Sequence, residues 1–341
     1  MRYIGRISFH NLLNRALKTR KKYKSYINLH QKSLQKVRIQ KPIFITGLPR
    51  SGTTLLQNLL IHNFQIEGIR FWELLNPIPI SNNIQIDNII RKINAWFLIT
   101  LVKKLGPNIN SMHPINIFSF EECWHLFLMT FNVYNFDFQL CISNYGKWIS
   151  NHSINKAYVE YSEILKIILN QRNTNQIILK CPEHMMFTDS INKIFPDNKI
   201  IWIHRDPVKS ITSYTNMIYE INKFYRKSVE KIDVSIFVMK RFQKMIKKII
   251  YSRDELGVKI IDVQYTDLIS DNKNVLEFLN KECEIDKTKN IPQKKQPNID
   301  KFKSQIINEP EKLGIDPNKI YYEFYDYMER FQINKEIKKL Y

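Results

Sequence analysis

The chain has 341 residues, 44% of them hydrophobic and 25% charged, with a formal net charge of +20 at pH 7. That length and balance exclude a disordered or fibrous chain and leave room for one large α/β domain or two small ones. The positive excess points toward anionic partners, but Lys, Ile and Asn are abundant in every part of the chain, so charge alone carries no functional argument.

Residues 1–40 are basic and space Leu12, Leu13 and Leu17 as a helix would, which predicts an N-terminal helical extension with a surface-docking arm as its functional alternative. This stretch lacks the long apolar core of a cleaved signal. The most apolar run, Ala95 to Val102, is about eight residues against the roughly 20 a membrane span needs. A cytoplasmic protein without a transmembrane segment is the expectation. From residue 41 to 341 the pattern reads as one domain. Short apolar runs at Pro42–Thr46, Ile177–Leu179, Lys199–Ile203 and Val258–Val263 fit buried strands, each followed by a turn and a helical period. Leu55, Leu56, Leu59 and Leu60 share one helix face after the first. Longer helical patterns lie at 118–130, 154–170 and 234–252. Asp316-Pro317 reads as a cap and first-turn proline for a last helix carrying Ile320, Tyr321, Phe324, Tyr325, Met328 and Phe331. Strands alternating with helices predict an α/β fold of three layers around a central parallel sheet. The four cysteines have no metal-type spacing, so no metal is expected. Neither a zinc pattern nor an RNA-binding signature supports nucleic acid as a partner.

The first strand runs into Gly47-Leu48-Pro49-Arg50-Ser51-Gly52-Thr53-Thr54 and then a helix. A strand, a glycine-bounded turn and a helix start aim free backbone N–H groups at an anion, and the helix dipole adds to their pull. The spacing is that of a phosphate-binding G-x-x-x-x-G-K-[ST] loop, except that Thr53 stands where the lysine should be. That lysine serves the β- and γ-phosphates of a triphosphate, so triphosphate hydrolysis is a poor fit. Arg50 can instead fork onto the oxygens of a shorter 5′ group, and Ser51, Thr53 and Thr54 add hydroxyl donors. Further on, Lys180 and Arg205 stand at the C-terminal ends of two strands, where an open α/β sheet lines its ligand crevice. Ser213 follows Arg205 by eight residues and can share an anion with it.

These residues resemble the sulfotransferases that use 3′-phosphoadenosine 5′-phosphosulfate (PAPS). Pro49 to Thr54 resembles their 5′-phosphosulfate loop, and Arg205 with Ser213 their 3′-phosphate pair. The likeness runs on through Trp72-Glu73-Leu74-Leu75-Asn76-Pro77, His113-Pro114, Glu121-Glu122-Cys123, Lys180 with Pro182-Glu183-His184, and Tyr265-Thr266-Asp267-Leu268, and ends at Leu313-Gly314-Ile315-Asp316. It is to the bacterial-type domain, related to the tyrosylprotein enzymes. The resemblance implies a P-loop-like fold and transfer of a sulfuryl group from PAPS to a hydroxyl or amine acceptor, with Lys180 and Arg50 stabilising the departing phosphate. It also implies an adenine contact for Tyr265 and a cofactor-closing loop around Lys301, Lys303 and Ser304.

For the base, the resemblance to the tyrosylprotein enzymes points to Glu73, with Glu122, Glu121 and His113 as alternatives. The histidine that cytosolic members carry two residues after the lysine is Pro182 here, and His184 is out of register. A P-loop nucleotide kinase, or a non-catalytic relative, is the competing reading; Thr53 and the Arg205–Ser213 pair speak against the kinase, and the retained Arg50, Lys180, Arg205 and Ser213 against loss of catalysis. The acceptor is not named by any pattern.

Overall fold

The computed structural model describes residues 2–64, 66–105, 115–140, 142–172, 174–285 and 309–336. Helix α1 (Tyr3–Leu34) precedes β1 (Ile43–Gly47), α2 (Thr53–Phe64), the two-residue β2 (Glu67–Gly68), α3 (Phe71–Leu75) and α4 (Ile84–Leu105). A 3₁₀ segment (Cys123–Thr130) and helices α5 (Asn135–Leu140), α6 (Ser143–Asn151) and α7 (Asn155–Leu169) lead to β3 (Ile177–Lys180). A 3₁₀ turn (Pro182–Met186) and α8 (Thr188–Ile194) lead to β4 (Lys199–His204), followed by α9 (Pro207–Tyr225), α10 (Lys231–Asp254) and β5 (Ile260–Gln264). Helices α11 (Tyr265–Ser270) and α12 (Asn272–Glu282), a 3₁₀ turn (Pro310–Leu313), α13 (Pro317–Glu323) and α14 (Tyr325–Arg330) complete the described chain.

The five strands form one parallel sheet in the order β2-β3-β1-β4-β5. Every residue of β1 is buried, because side chains alternate between two covered faces. Ile43 and Ile45 pack with Leu55, Leu56, Leu59 and Leu60 of α2, whereas Phe44 joins Trp202 and the larger core on the other face. This is the three-layer α/β fold that the alternation predicts, and four strands fall within two residues of their expected ends. With β1 central, the chain crosses to one side for β2 and β3 and to the other for β4 and β5. The crevice at the C-terminal end of β1 is therefore where this topology places a ligand.

Two details differ from expectation, and the N-terminal helix has contacts that the sequence does not announce. Residues 123–130 wind as a 3₁₀ segment rather than an α-helix: Trp, His, Phe and Thr are weak helix formers, and burial of Cys123, Leu126, Phe127 and Met129 sets their path. The last helix breaks at Phe324 (φ −113°, ψ 15°) into α13 and α14, after Asp316 has capped its start by accepting from Asn318 N at 2.9 Å. Helix α1 lies against the domain: Arg15 donates to Leu75 O (2.8 Å), and Arg20 forks onto Glu160 at 2.8 and 3.1 Å.

Helix α4 is fastened to α3 through the arginine of a buried ion pair within α4. Asp87 and Arg91 are 0% and 2% exposed and meet at 2.9 Å. Asp87 also accepts from Ile80 N (2.6 Å), Arg91 donates to Asn76 O (2.7 Å), and the guanidinium lies 4.7 Å from the Trp72 ring centroid. Asp87→Asn leaves Arg91 buried without its counter-charge, so it is expected to cost about 3 kcal/mol or more, read as a lowered midpoint in urea unfolding.

Candidate active site

Of the four basic or aromatic residues singled out in the sequence, Lys180, Arg205 and Tyr265 directly end or follow parallel strands, and Arg50 lies in the loop after a fourth. β1 ends at Gly47 and opens the loop, β3 ends at Lys180, β4 is followed by Arg205, and β5 by Tyr265. Their side chains meet around the loop. Arg50 holds a left-handed backbone (φ 71°), unusual outside glycine, and its carbonyl accepts from Arg205 Nη1 at 3.0 Å. Its own Nε donates to Ser213 Oγ at 3.0 Å. The Arg205 guanidinium lies 3.8 Å from the centroid of the Tyr265 ring. Gly52 (φ 102°) has no alternative, because a Cβ there would come within 2.6 Å of that ring. Lys180 is completely buried, and its Nζ sits 3.2 Å from Thr54 Oγ1 and 3.5 Å from Glu122 Oε1. Pro49, Arg50, Gly52, Thr53, Thr54, Glu121, Glu122, Arg205 and Tyr265 line one cavity of about 270 Å³.

The electrostatics of this end call for an anion. Burial lowers the Arg50 pKa from its usual value, and the neighbouring Arg205 charge lowers it further. Burial also disfavours the charge of Arg205, but pairing with Glu336 outweighs this and raises its pKa. Glu336 accepts from Arg205 Nε and Nη2 at 2.8 and 2.9 Å, a two-pronged grip of the kind guanidinium gives carboxylate or phosphate. The carboxylate thus stands in for an anion with two oxygens in one plane. Ser51 Oγ is buried without a hydrogen-bond partner among the described residues, although it lies inside the loop. An orphaned hydroxyl and a borrowed carboxylate are what a phosphorylated ligand would replace and satisfy.

Glu73 is not brought to this cavity. It is buried at the start of α3, where it accepts from Arg70 N at 2.8 Å and pairs with Arg172. The sequence expectation places it beside the reacting groups; in the structure the carboxylate caps a helix and pairs with the largely buried Arg172. His184 also faces elsewhere, between Tyr158 OH (2.8 Å) and Cys123 Sγ (3.1 Å) in the core. His113, Lys301, Lys303 and Ser304 lie outside the described residues. Sequence reasoning missed Glu336 altogether; nothing in a charged C-terminal run marks it.

The cavity continues away from the anion end along an apolar wall. Met217, Ile218 and Ile221 of α9 line it together with Phe138 and Met245. Trp124 and His125, stacked at 3.8 Å, and Asn135 contribute to the lining.

A parallel sheet whose central strand runs through a glycine-bounded loop into a helix is a P-loop-like α/β fold. Comparison with known proteins supplies the family. The sulfotransferase family model matches residues 42–289, and the chain belongs to that family. Among solved structures it is similar to the sulfotransferase STF1 of Mycobacterium tuberculosis H37Rv, at 19% identity and TM-score 0.81, over 96% of this chain and 87% of that one. It is likewise similar to STF9 of Mycobacterium avium, at 17% identity and TM-score 0.77, over 98% and 88%. These likenesses show the fold. No curated protein sequence matches the chain at a significant level. Among the described residues there is no cluster of metal-ligating side chains, and no helix is long and apolar enough to cross a membrane.

Glu183 is the most perturbed carboxyl bordering the cavity. Burial raises its pKa from 4.5 to about 8, against the pull of two backbone N–H groups of Tyr134 and Asn135, at 2.9 and 2.5 Å. Because the folded value lies above the unfolded one, ionisation costs the folded state more. Its contribution is therefore whole below about pH 4.5 and is lost as pH rises to about 8. Glu183→Gln should flatten this decline, seen as a thermal midpoint that changes less between those pH values than in the wild type.

Proposed function

We propose that the protein transfers a sulfuryl group from PAPS to an acceptor hydroxyl, with Arg50, Lys180, Arg205, Ser213 and the loop hydroxyls forming the donor site. The observation that carries this is the pair of anion grips side by side in one crevice: the loop with Arg50, and Arg205 already holding a carboxylate. When bound, the donor would supply a sulfuryl group on a 5′-phosphate leaving oxygen. Ser51, Gly52, Thr53 and Thr54 would hold that phosphate through backbone N–H and hydroxyl groups at the start of α2, with Pro49, which has no N–H to give, lining the loop beside them. Arg205 and Ser213 would hold the 3′-phosphate, with Tyr265 beneath Arg205 against the base.

Glu122 is assigned as the base in place of Glu73. It lines the cavity, keeps its carboxylate partly exposed, and reaches Lys180 at 3.5 Å. Glu122 would take the acceptor's proton as the acceptor oxygen bonds to sulfur and the bond from sulfur to the phosphate oxygen breaks. Lys180, bridging Glu122 and Thr54, would stabilise the charge that develops on that oxygen. The apolar wall of Phe138, Met217, Ile218, Ile221 and Met245 favours an acceptor hydroxyl carried on an apolar body. Cys123, Cys181 and Cys283 are free, which supports a reducing, cytoplasmic setting.

Calorimetric titration with adenosine 3′,5′-bisphosphate tests the donor site. Arg205→Ala should weaken binding by about tenfold or more, and Glu336→Gln should tighten it, since the competing carboxylate loses its charge. Unchanged affinity in Arg205→Ala would refute the assignment.

Turnover of labelled PAPS over alcohol, phenol, carbohydrate and peptide acceptors separates the two candidate bases. Glu122→Gln should lower kcat by at least about a hundredfold with donor affinity kept. Glu73→Gln should instead lower the thermal midpoint while leaving turnover near wild type.

A further inference from the structure

Helix α4 is built inside out. Its inward stripe, Asp87, Arg91, Ala95 and Ile99 at i, i+4 spacing, is buried but half ionic, the ion pair being fastened to α3 and the chain before α4. The solvent side carries the large apolar residues: Ile84, Ile86, Ile89, Ile90, Ile93, Trp96, Phe97 and Leu101 are all exposed. Phe97 is 63% exposed, Ile89 57% and Trp96 54%, and Ile80 and Phe118 nearby are exposed as well. A soluble helix ordinarily turns such residues inward. Here about 33 Å of helix presents a continuous apolar stripe, on the order of several hundred Å², the size that marks a docking surface rather than scattered exposure.

The charges around the stripe choose its partner. Lys103 and Lys104 are exposed at its C-terminal end and Lys92 is half-buried beside it, whereas the one acid of α4, Asp87, is buried in its pair with Arg91. Helix α1, which Arg15 ties to Leu75 of α3, carries eight Lys and Arg residues and no Asp or Glu between Tyr3 and Leu34. A second copy of this chain would set these same cations against each other with no exposed acid of α4 to pair with them. A lipid surface with anionic headgroups meets both needs, receiving Ile, Trp and Phe at the acyl boundary and Lys among the headgroups. We propose that the exposed face of α4 docks the enzyme peripherally on an anionic membrane surface, the helix lying in its plane. No helix of the described residues spans a bilayer, so the attachment is reversible and interfacial. The inference is independent of the donor and of the identity of the base.

Co-sedimentation with vesicles of phosphatidylcholine, with and without phosphatidylserine, tests it without any turnover. Wild type should bind the phosphatidylserine vesicles and release them at high salt. Lys103→Glu with Lys104→Glu should weaken that binding by about tenfold or more, at roughly fivefold per lysine lost. Ile93→Ser with Trp96→Ser and Phe97→Ser should abolish it, and the thermal midpoint should hold because these side chains are already in solvent. If that triple variant unfolds, the lysine pair decides alone. Wild type that stays in the supernatant with phosphatidylserine vesicles, or variants that bind as wild type does, would overturn the proposal. So would sedimentation velocity showing a wild-type dimer, absent in the triple variant, without vesicle binding.

Discussion

Two guanidinium groups, Arg50 and Arg205, stand in one enclosed crevice, and their mutual repulsion is the constraint around which the site is arranged. Each is held by the other's element: Arg205 donates to the Arg50 carbonyl, and Arg50 reaches across to Ser213, eight residues past Arg205. That lock fixes Arg50 in a left-handed conformation, which an isolated loop would not hold without a cost of about 1–3 kcal/mol. The repulsion is relieved only by negative charge, and Glu336 brings it from the far end of the described chain. Strain, repulsion and a borrowed carboxylate are three faces of one requirement. An anionic donor of the kind proposed above would meet that requirement in place of the carboxylate.

The sheet is what makes this arrangement stiff. Parallel strands buried on both faces end together, so the residues just after β1, β4 and β5 and the last residue of β3 arrive at one edge without any loop having to search for position. Gly47 and Gly52 then let the loop turn back within reach: a Cβ on Gly47 would come within 2.7 Å of Ile203 O and Ser51 Oγ, and one on Gly52 within 2.6 Å of Tyr265. Tyr265 packs between the loop and Arg205, so a residue that reads as a ring for stacking is also the spacer that separates a glycine from a cation.

Much of this was legible in the amino-acid sequence because it depends on local rules. Continuous apolar runs marked the central strands, and the glycine-bounded turn with Arg50 marked the loop. Residues next to strand ends, Lys180 and Arg205, could be assigned to the crevice from topology alone. What escaped depends on distant pairing. β2 is two residues long and has no pattern of its own. Glu336 is 131 positions from Arg205, and its carboxylate looks like any other in a charged tail. Of α4 only the apolar run from Ala95 to Val102 stood out, and such a run cannot say which face a helix turns to water when an ion pair occupies the inner one.

The different surroundings of Glu73 and Glu122 show where sequence spacing stops being informative. Glu73 falls at the third position of α3, where a glutamate can reach back to the backbone N–H before the helix. Its other oxygen meets Arg172, contributed from a segment ninety-nine residues away, so the carboxylate is consumed by two structural partners before any substrate arrives. Glu122 has the opposite history. It precedes a 3₁₀ segment whose buried residues, Cys123, Leu126, Phe127 and Met129, anchor the backbone and leave the acid at the rim. From there it meets Lys180, an ammonium fully removed from water that must have an anion or a hydroxyl near it. A carboxylate held by a buried lysine beside the phosphate loop is fixed in place while keeping part of its surface open to the cavity. A carboxylate spent on a helix cap is fixed as well, but away from that cavity.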